Sequence, residues 1–159
     1  MLAYDAELEL VSAKGSRTIP YHSFHTEYKK MDIRPEELLR AIRLPRVTKE
    51  LTHYYRKVGT RKAQAISKVC FAGVARTNAD QIADVRIALG SVAPIPIRCI
   101  QTENSLTSKA INPETLAAAK AALTAEIAPI DDLRSTRDYR LRVSLNLLED
   151  FLQRLMKTQ

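Results

Sequence analysis

Asp84-Val85-Arg86-Ile87-Ala88-Leu89-Gly90 alternates with a period of two, which sets Val85, Ile87 and Leu89 on one face of a strand and Arg86, Ala88 and Gly90 on the other. One face is then buried and the other partly wet. Upstream, Tyr54, Tyr55 and Val58 open a first strand, and Ile66, Val69, Cys70, Phe71 and Val74 continue a second. Ile82 joins Val85, Ile87 and Leu89 in the third. Gly59-Thr60 and Asn78-Ala79-Asp80 supply the breaks. Residues 51–99 thus predict a three-stranded antiparallel sheet. Pro94 and Pro96 end it, because each removes a ladder donor and restricts the residue before it.

A sheet with one apolar face needs a cover, and the downstream sequence supplies it. Asn112 is a good N-cap and Pro113 a good first helical residue, and Leu116, Leu123 and Ile127 mark an apolar stripe along an alanine-rich helix that Pro129 closes. A final helix is predicted from Ser135, where Ser135-Thr136-Arg137-Asp138 resembles a capping box. Leu141, Leu145, Leu148, Leu152 and Leu155 recur at steps of four and three, which puts one leucine face toward the sheet.

The first 46 residues read differently. Leu8, Leu10 and Val11, the Lys14-Gly15 turn and Arg17-Thr18-Ile19-Pro20 form a hairpin pattern. Two strands are not stable alone in water, so the pair is expected to belong to a sheet whose other strands lie elsewhere. Residues 21–32 show no clear period and read as a loop. Pro35, Glu36 and Glu37, followed by Leu38, Leu39 and Ile42, predict a short helix stopped by Pro45. The fold class that follows is α+β: two layers, a three-stranded antiparallel sheet with helices on one face, plus an N-terminal hairpin left from a preceding domain.

Composition bounds the function. The chain has 159 residues, 45% hydrophobic and 27% charged, enough for an ordinary core and inconsistent with disorder as the main state. The formal net charge of +7 permits acidic partners. Cys70 and Cys99 lie in apolar stretches without CxxC spacing, which argues against a disulfide scaffold or zinc knuckle and fits a reducing compartment. No run approaches the roughly 20 apolar residues of a bilayer span, and the first residues lack a signal-peptide pattern. A cytoplasmic chain that engages no membrane is expected.

Candidate chemistry is sparse. His22 and His25 have the spacing of a helical metal pair, yet their segment does not read as helical and no third ligand is in reach. Cys70 lacks an announced base and reads as a small buried hydrophobe. Asp131 and Asp132 precede a helix, where capping and the helix dipole already account for them. The four glycines, at positions 15, 59, 73 and 90, are too scattered to cradle a pyrophosphate. One basic segment remains: Arg56, Lys57, Arg61, Lys62 and Lys68, with no acid between Tyr54 and Cys70. It reads either as a solvated turn or as a positive rim facing an anion. A nucleic-acid reader would interleave aromatics with these charges on one face. Tyr54 and Tyr55 are adjacent and so point to opposite faces, which counts against that.

Several ordered stretches resemble one family. They are Tyr55-Arg56-Lys57-Val58-Gly59-Thr60-Arg61-Lys62-Ala63-Gln64-Ala65-Ile66-Ser67, then Asp84 through the Ser91-Val92-Ala93-Pro94-Ile95-Pro96-Ile97-Arg98 run, Glu103, and Pro129-Ile130-Asp131-Asp132-Leu133-Arg134-Ser135-Thr136-Arg137-Asp138-Tyr139-Arg140. Together they resemble the C-terminal domain of the FAD-binding subunit of molybdenum hydroxylases, in particular the bacterial xanthine dehydrogenase flavoprotein, with the carbon monoxide dehydrogenase medium subunit as a cousin. The Gly15 to Pro20 stretch, Phe24 and the Glu36-Glu37-Leu38-Leu39 segment resemble the tail of the preceding flavin-binding domain. The resemblance implies residues 1–46 as that tail with a connecting helix and 47–159 as the C-terminal domain.

In that family the subunit takes electrons from a molybdenum cofactor through iron-sulfur clusters and passes them from FAD to NAD or another acceptor. The resemblance implies that Lys57 approaches the flavin ring, that the loop after it lies beside the flavin, and that Leu39 packs near the ring. An ammonium there favours the reduced, anionic flavin by about 1 to 4 kcal/mol at a few ångströms, depending on the dielectric. Ala63-Gln64-Ala65 stands where some relatives carry acids. Asp84, Arg86 and Arg134 read as structural. The family's glycine-rich loops lie upstream of these residues, so the chain is expected to be a C-terminal portion, inactive and free of FAD by itself. Its partners would be the upstream FAD-binding domain and the iron-sulfur and molybdenum-cofactor subunits, without nucleic acid. Apolar surface left by a missing neighbour would self-associate. The competing class is a stand-alone basic module for nucleic acid or an acidic protein.

Overall fold

A computed structural model of the chain describes residues 1–46, 51–61 and 64–157. The expected sheet is present, with strands β6 (Thr52–Val58), β7 (Val69–Asn78) and β8 (Gln81–Gly90) and a fourth, two-residue strand, β9 (Ile97–Arg98), in the antiparallel order β6-β7-β8-β9. Ile66 lies ahead of β7 rather than within it, exposed on the loop between β6 and β7.

Among the described residues the helices α1 (Ile100–Leu106), α2 (Pro113–Glu126) and α3 (Arg137–Lys157) follow. Asn112 caps α2 by accepting the Thr115 N–H at 2.8 Å, satisfying one of the orphan donors of the first turn. The cap of α3 is Thr136 rather than Ser135: its hydroxyl accepts the Tyr139 N–H at 3.2 Å, while Ser135 closes a turn with Asp132. The leucine stripe holds, since Leu148, Leu152 and Leu155 are buried and Leu141 and Leu145 pack at its margin. At its centre Tyr54, Phe71 and Phe151 meet with ring centroids 5.7–5.8 Å apart. Gly73 makes this possible. A Cβ there would stand 2.9 Å from the Phe151 ring.

The second face of the sheet is covered in part. A 3-10 turn, Leu2–Tyr4, buries Leu2 and Ala3 against Val74 and Ala88. Arg98 holds this turn in place by donating to Leu2 O at 3.1 Å and Asp5 Oδ1 at 2.5 Å, while its Nε pairs with Glu103. Glu103 also accepts the Ile87 N–H at 2.6 Å. Burial pushes the Glu103 carboxyl up against the pull of Arg98.

The N-terminal hairpin is β1 (Glu7–Ser12) and β2 (Gly15–Pro20). Its third strand corrects the predicted helix after Pro35. Residues Leu38–Arg43 form β5, antiparallel to β1 with a bulge that sets Arg40 aside, giving the order β2-β1-β5. The segment read as a loop holds a 3-10 turn, Tyr21–Ser23, and a small hairpin of β3 (His25–Glu27) and β4 (Lys30–Met31). The apolar centre of this unit is Leu8, Leu10 and Phe24. Charged ties complete it: Arg17 forks onto Glu37 at 2.7 and 2.9 Å and onto Asp32 at 3.0 Å, and Glu9 pairs with Arg40 and Arg43. The proposed boundary at 46/47 adjoins residues 47–50, which lie outside the described residues.

Candidate functional site

On β6, Tyr54 points to the helical side and is buried, while His53, Tyr55 and Lys57 alternate onto the other face. Tyr4 of the N-terminal turn reaches His53, with its hydroxyl 2.7 Å from Nδ1. Toward Tyr55 and Lys57, at the other end of the strand, the described residues leave the face open. Tyr55 is 64% exposed and Lys57 is exposed, and across the ladder Lys57 stands opposite Cys70, whose Sγ lies 3.5 Å from the Tyr55 hydroxyl. No carboxylate among the described residues pairs with Lys57. An unpaired ammonium, a phenol and a thiol thus share one uncovered sheet surface.

The loop leaving β6 closes on itself. Lys68 N–H donates to Val58 O at 2.7 Å, and the Arg61 guanidinium donates to Gln64 O at 3.2 and 2.7 Å. Gly59 is needed at the base, where a Cβ would meet the Ala65 methyl at 2.9 Å. Of the basic segment, Lys62 lies outside the described residues, as does Ala63 of the Ala63-Gln64-Ala65 triplet.

The far side of this loop walls a cavity of about 510 Å³. Ile66 and Ser67 form one wall, Ser91, Pro94 and Pro96 of the turn after β8 a second, and Asp132, Arg134 and Arg140 a third, with Tyr28 at the margin. Arg134 is half exposed and pairs with Asp132 at 3.8 Å. Asp132 also accepts the Arg134 and Ser135 N–H groups at 2.8 and 3.0 Å, and these bonds with Arg140 hold its carboxyl below the usual range. Asp131 accepts the Arg137 N–H at 2.6 Å. The two aspartates therefore act as the helix-start groups the sequence implied. Asp84 and Arg86 are structural as well, paired at 2.9 Å, with Arg86 reaching Asp5 at 3.5 Å. A second cavity, of about 550 Å³, lies between the N-terminal turn and β9 and includes His22, Asp5 and Arg98.

Leu39 and Lys57 are not brought together by any described contact. Leu39 sits on β5 opposite Leu10, partly exposed, in the other sheet, and neither cavity includes it or Lys57. His25 lies 3.3 Å from the Tyr21 hydroxyl and His22 is exposed, and among the described residues no group of three His, Cys, Asp or Glu side chains is placed to hold a metal. Cys99 is buried, which raises its thiol pKa. Cys70 is only half-buried, more open than its apolar surroundings in sequence suggested. No helix is long and apolar enough to cross a membrane among the described residues. Sequence reading missed Arg140, which is 3% exposed. The available signal was its position one turn before Ser144 and two before Leu148, a charge on a buried stripe.

Comparison with known proteins gives two family matches: CO dehydrogenase flavoprotein C-terminal domain over residues 53–155, and FAD binding domain in molybdopterin dehydrogenase over residues 1–47. The chain is 32% identical over 145 residues to the xanthine dehydrogenase FAD-binding subunit of Escherichia coli O157:H7, covering 89% of this chain and 49% of that protein. It is 29% identical over 139 residues to the carbon monoxide dehydrogenase medium chain of Hydrogenophaga pseudoflava, covering 87% and 48%. The chain thus spans about half the length of the curated relatives it matches. The solved carbon monoxide dehydrogenase of Hydrogenophaga pseudoflava lacking the Mo-pyranopterin moiety superposes with a TM-score of 0.87 at 28% identity, over 94% of this chain and 52% of that one. A cyanide-inactivated Cu,Mo-CO dehydrogenase gives a TM-score of 0.88 at 26% identity, over 94% and 52%.

Proposed function

The chain belongs to the CO dehydrogenase flavoprotein C-terminal domain family, and from that premise we propose that it is the C-terminal portion of the FAD-binding subunit of a xanthine dehydrogenase-like molybdenum hydroxylase. Residues 1–46 would be the tail of the flavin-binding domain and 47–159 the C-terminal domain. Its role is to cover one side of a flavin anchored by the upstream FAD-binding domain, in an enzyme where molybdenum-cofactor and iron-sulfur subunits deliver electrons and NAD or another acceptor removes them.

The observation that carries this reading is the unpaired Lys57 on an uncovered sheet face next to a closed loop. The donor set fits the ring end of FAD, since an exposed ammonium beside a phenol suits an electron-rich planar edge. It does not supply the pyrophosphate end, for which four scattered glycines make no cradle. When bound, the flavin stores the electrons. Lys57 would set a positive charge beside it, with Tyr55 and Cys70 next to that charge, and Leu39 would add an apolar contact from the N-terminal sheet. The cavity behind the loop, with its exposed Arg134 and its proline wall, would be where an acceptor approaches.

A fluorescence titration of the purified chain with FAD tests this division of labour. No stoichiometric binding is expected; tight one-to-one binding by these residues overturns the reading. Retention of DNA or RNA at physiological ionic strength would instead favour the basic binding module.

A further inference from the structure

Arg140 is the charged member of the buried residues of α3. Its guanidinium donates to Lys68 O at 2.9 Å, to Ser91 O at 2.7 Å and to Asp132 Oδ1 at 2.7 Å. Those acceptors belong to three segments that are distant in sequence: the end of the loop after β6, the turn after β8, and the turn before α3. They are the same three segments that wall the 510 Å³ cavity.

Each tie has local support. Lys68 is held from both sides, its N–H on Val58 O and its ammonium 5.0 Å from the centre of the Tyr139 ring. Ser91 has a left-handed backbone, with φ of +67°, a conformation costly for a residue with a Cβ unless its surroundings over-determine it. The Ala128 N–H donates to Val92 O at 2.9 Å, joining the second and third walls directly. A planar guanidinium meets three acceptors in one fixed fork, which an ammonium on a flexible stem does not reproduce. Losing it removes the guanidinium donor from the Lys68 and Ser91 carbonyls. Its Nε is itself buried without a partner among the described residues, so the site retains a donor beyond those the ties use.

We propose that Arg140 is a positioning residue: through Lys68, Ser91 and Asp132 it locks the loop that follows Lys57 to the other two cavity walls, so that the three move as one body. The proposal rests on the reading that this loop lies beside the flavin, and extends it to a residue that does not touch the ring. The lock itself is a property of this chain alone.

Hydrogen exchange followed by mass spectrometry on the chain tests the lock. In Arg140→Lys, peptides over 64–68, 91–96 and 128–136 are expected to exchange about tenfold faster together, while the centres of β7 and β8 keep their protection. Asp132→Asn keeps both carbonyl ties and is expected to loosen 128–136 alone. Unchanged loops in Arg140→Lys, or loss of protection throughout the sheet, overturns the proposal. In the complete flavin-loaded subunit, Arg140→Lys is expected to change the visible circular dichroism of the flavin and to raise the acceptor KM severalfold at nearly constant kcat. Loosened loops with an unmoved flavin signal, where Lys57→Met does move it, overturn the link from Arg140 to the ring. Silence of both variants overturns the flavin reading, and the link with it.

Discussion

The two larger sheets are held together by different physics. The four-stranded sheet lies under α2 and α3 and is fastened by an apolar centre running from Val69 and Phe71 to Leu152 and Leu155. The N-terminal sheet has three buried apolar anchors, Leu8, Leu10 and Phe24, and relies on Glu9, Asp32 and Glu37 gripping Arg17, Arg40 and Arg43. Burial of apolar area is indifferent to pH and little affected by salt, whereas ion pairs answer to both. One sheet is therefore a rigid platform, and the other a conditional attachment whose outer strand leaves Leu38, Leu39 and Ile42 exposed.

The sharpest way to break the contrast is Phe151→Ala, which opens a cavity where Tyr54, Phe71 and Gly73 converge. It is expected to cost about 3–5 kcal/mol in chemical denaturation; a loss confined to the N-terminal sheet would show that the platform is not centred there. Gly73→Ala forces the buried Phe151 ring to move and should cost about 1–3 kcal/mol, measured the same way. Acid should act on the other sheet first. Glu37 is held down to about 2 by Arg17 and the Arg34 N–H, and Asp32 and Glu9 are also lowered by their arginines. Carboxyls lowered in the folded state contribute stability above their ordinary values near 4 and lose it as pH falls toward 2. Exchange protection of β1, β2 and β5 should thus disappear over that interval while α3 remains protected. The smallest structural effect is expected for Lys57→Met, which should leave stability within about 0.5 kcal/mol. In the complete subunit it should lower the flavin midpoint potential, by about 30 mV for each 1.4 kcal/mol of lost attraction in a two-electron couple. An unchanged potential removes Lys57 from the site.

The contrast also explains what the sequence disclosed. β7, β8, α2 and α3 were legible because their partners are apolar layers, and burial writes its period into the residues. β5 was not. Pro35, Glu36 and Glu37 imitate a helix start, but Glu37 is drawn instead onto Arg17 and the following residues pair with β1, a long-range choice that overrides local propensity. The short α1 escaped notice because seven residues carry little periodicity and its buried Glu103 reads as a surface charge. Lys57 and Leu39 came from resemblance rather than from spacing. Arg140 was hidden for a physical reason: three of its bonds go to a carboxylate and two main-chain carbonyls, and carbonyl acceptors leave no mark on side-chain patterning.

Strand β6 ends the four-stranded sheet with an edge that no described strand pairs, and Arg56 and Lys57 sit near the end of that edge. Like charges there repel an incoming copy that would otherwise prolong the ladder. The ammonium proposed for the ring thus also fences the strand against fibril growth. Neutralising it for an electrochemical measurement removes half of that fence, and slow loss of material to aggregates would be its first symptom.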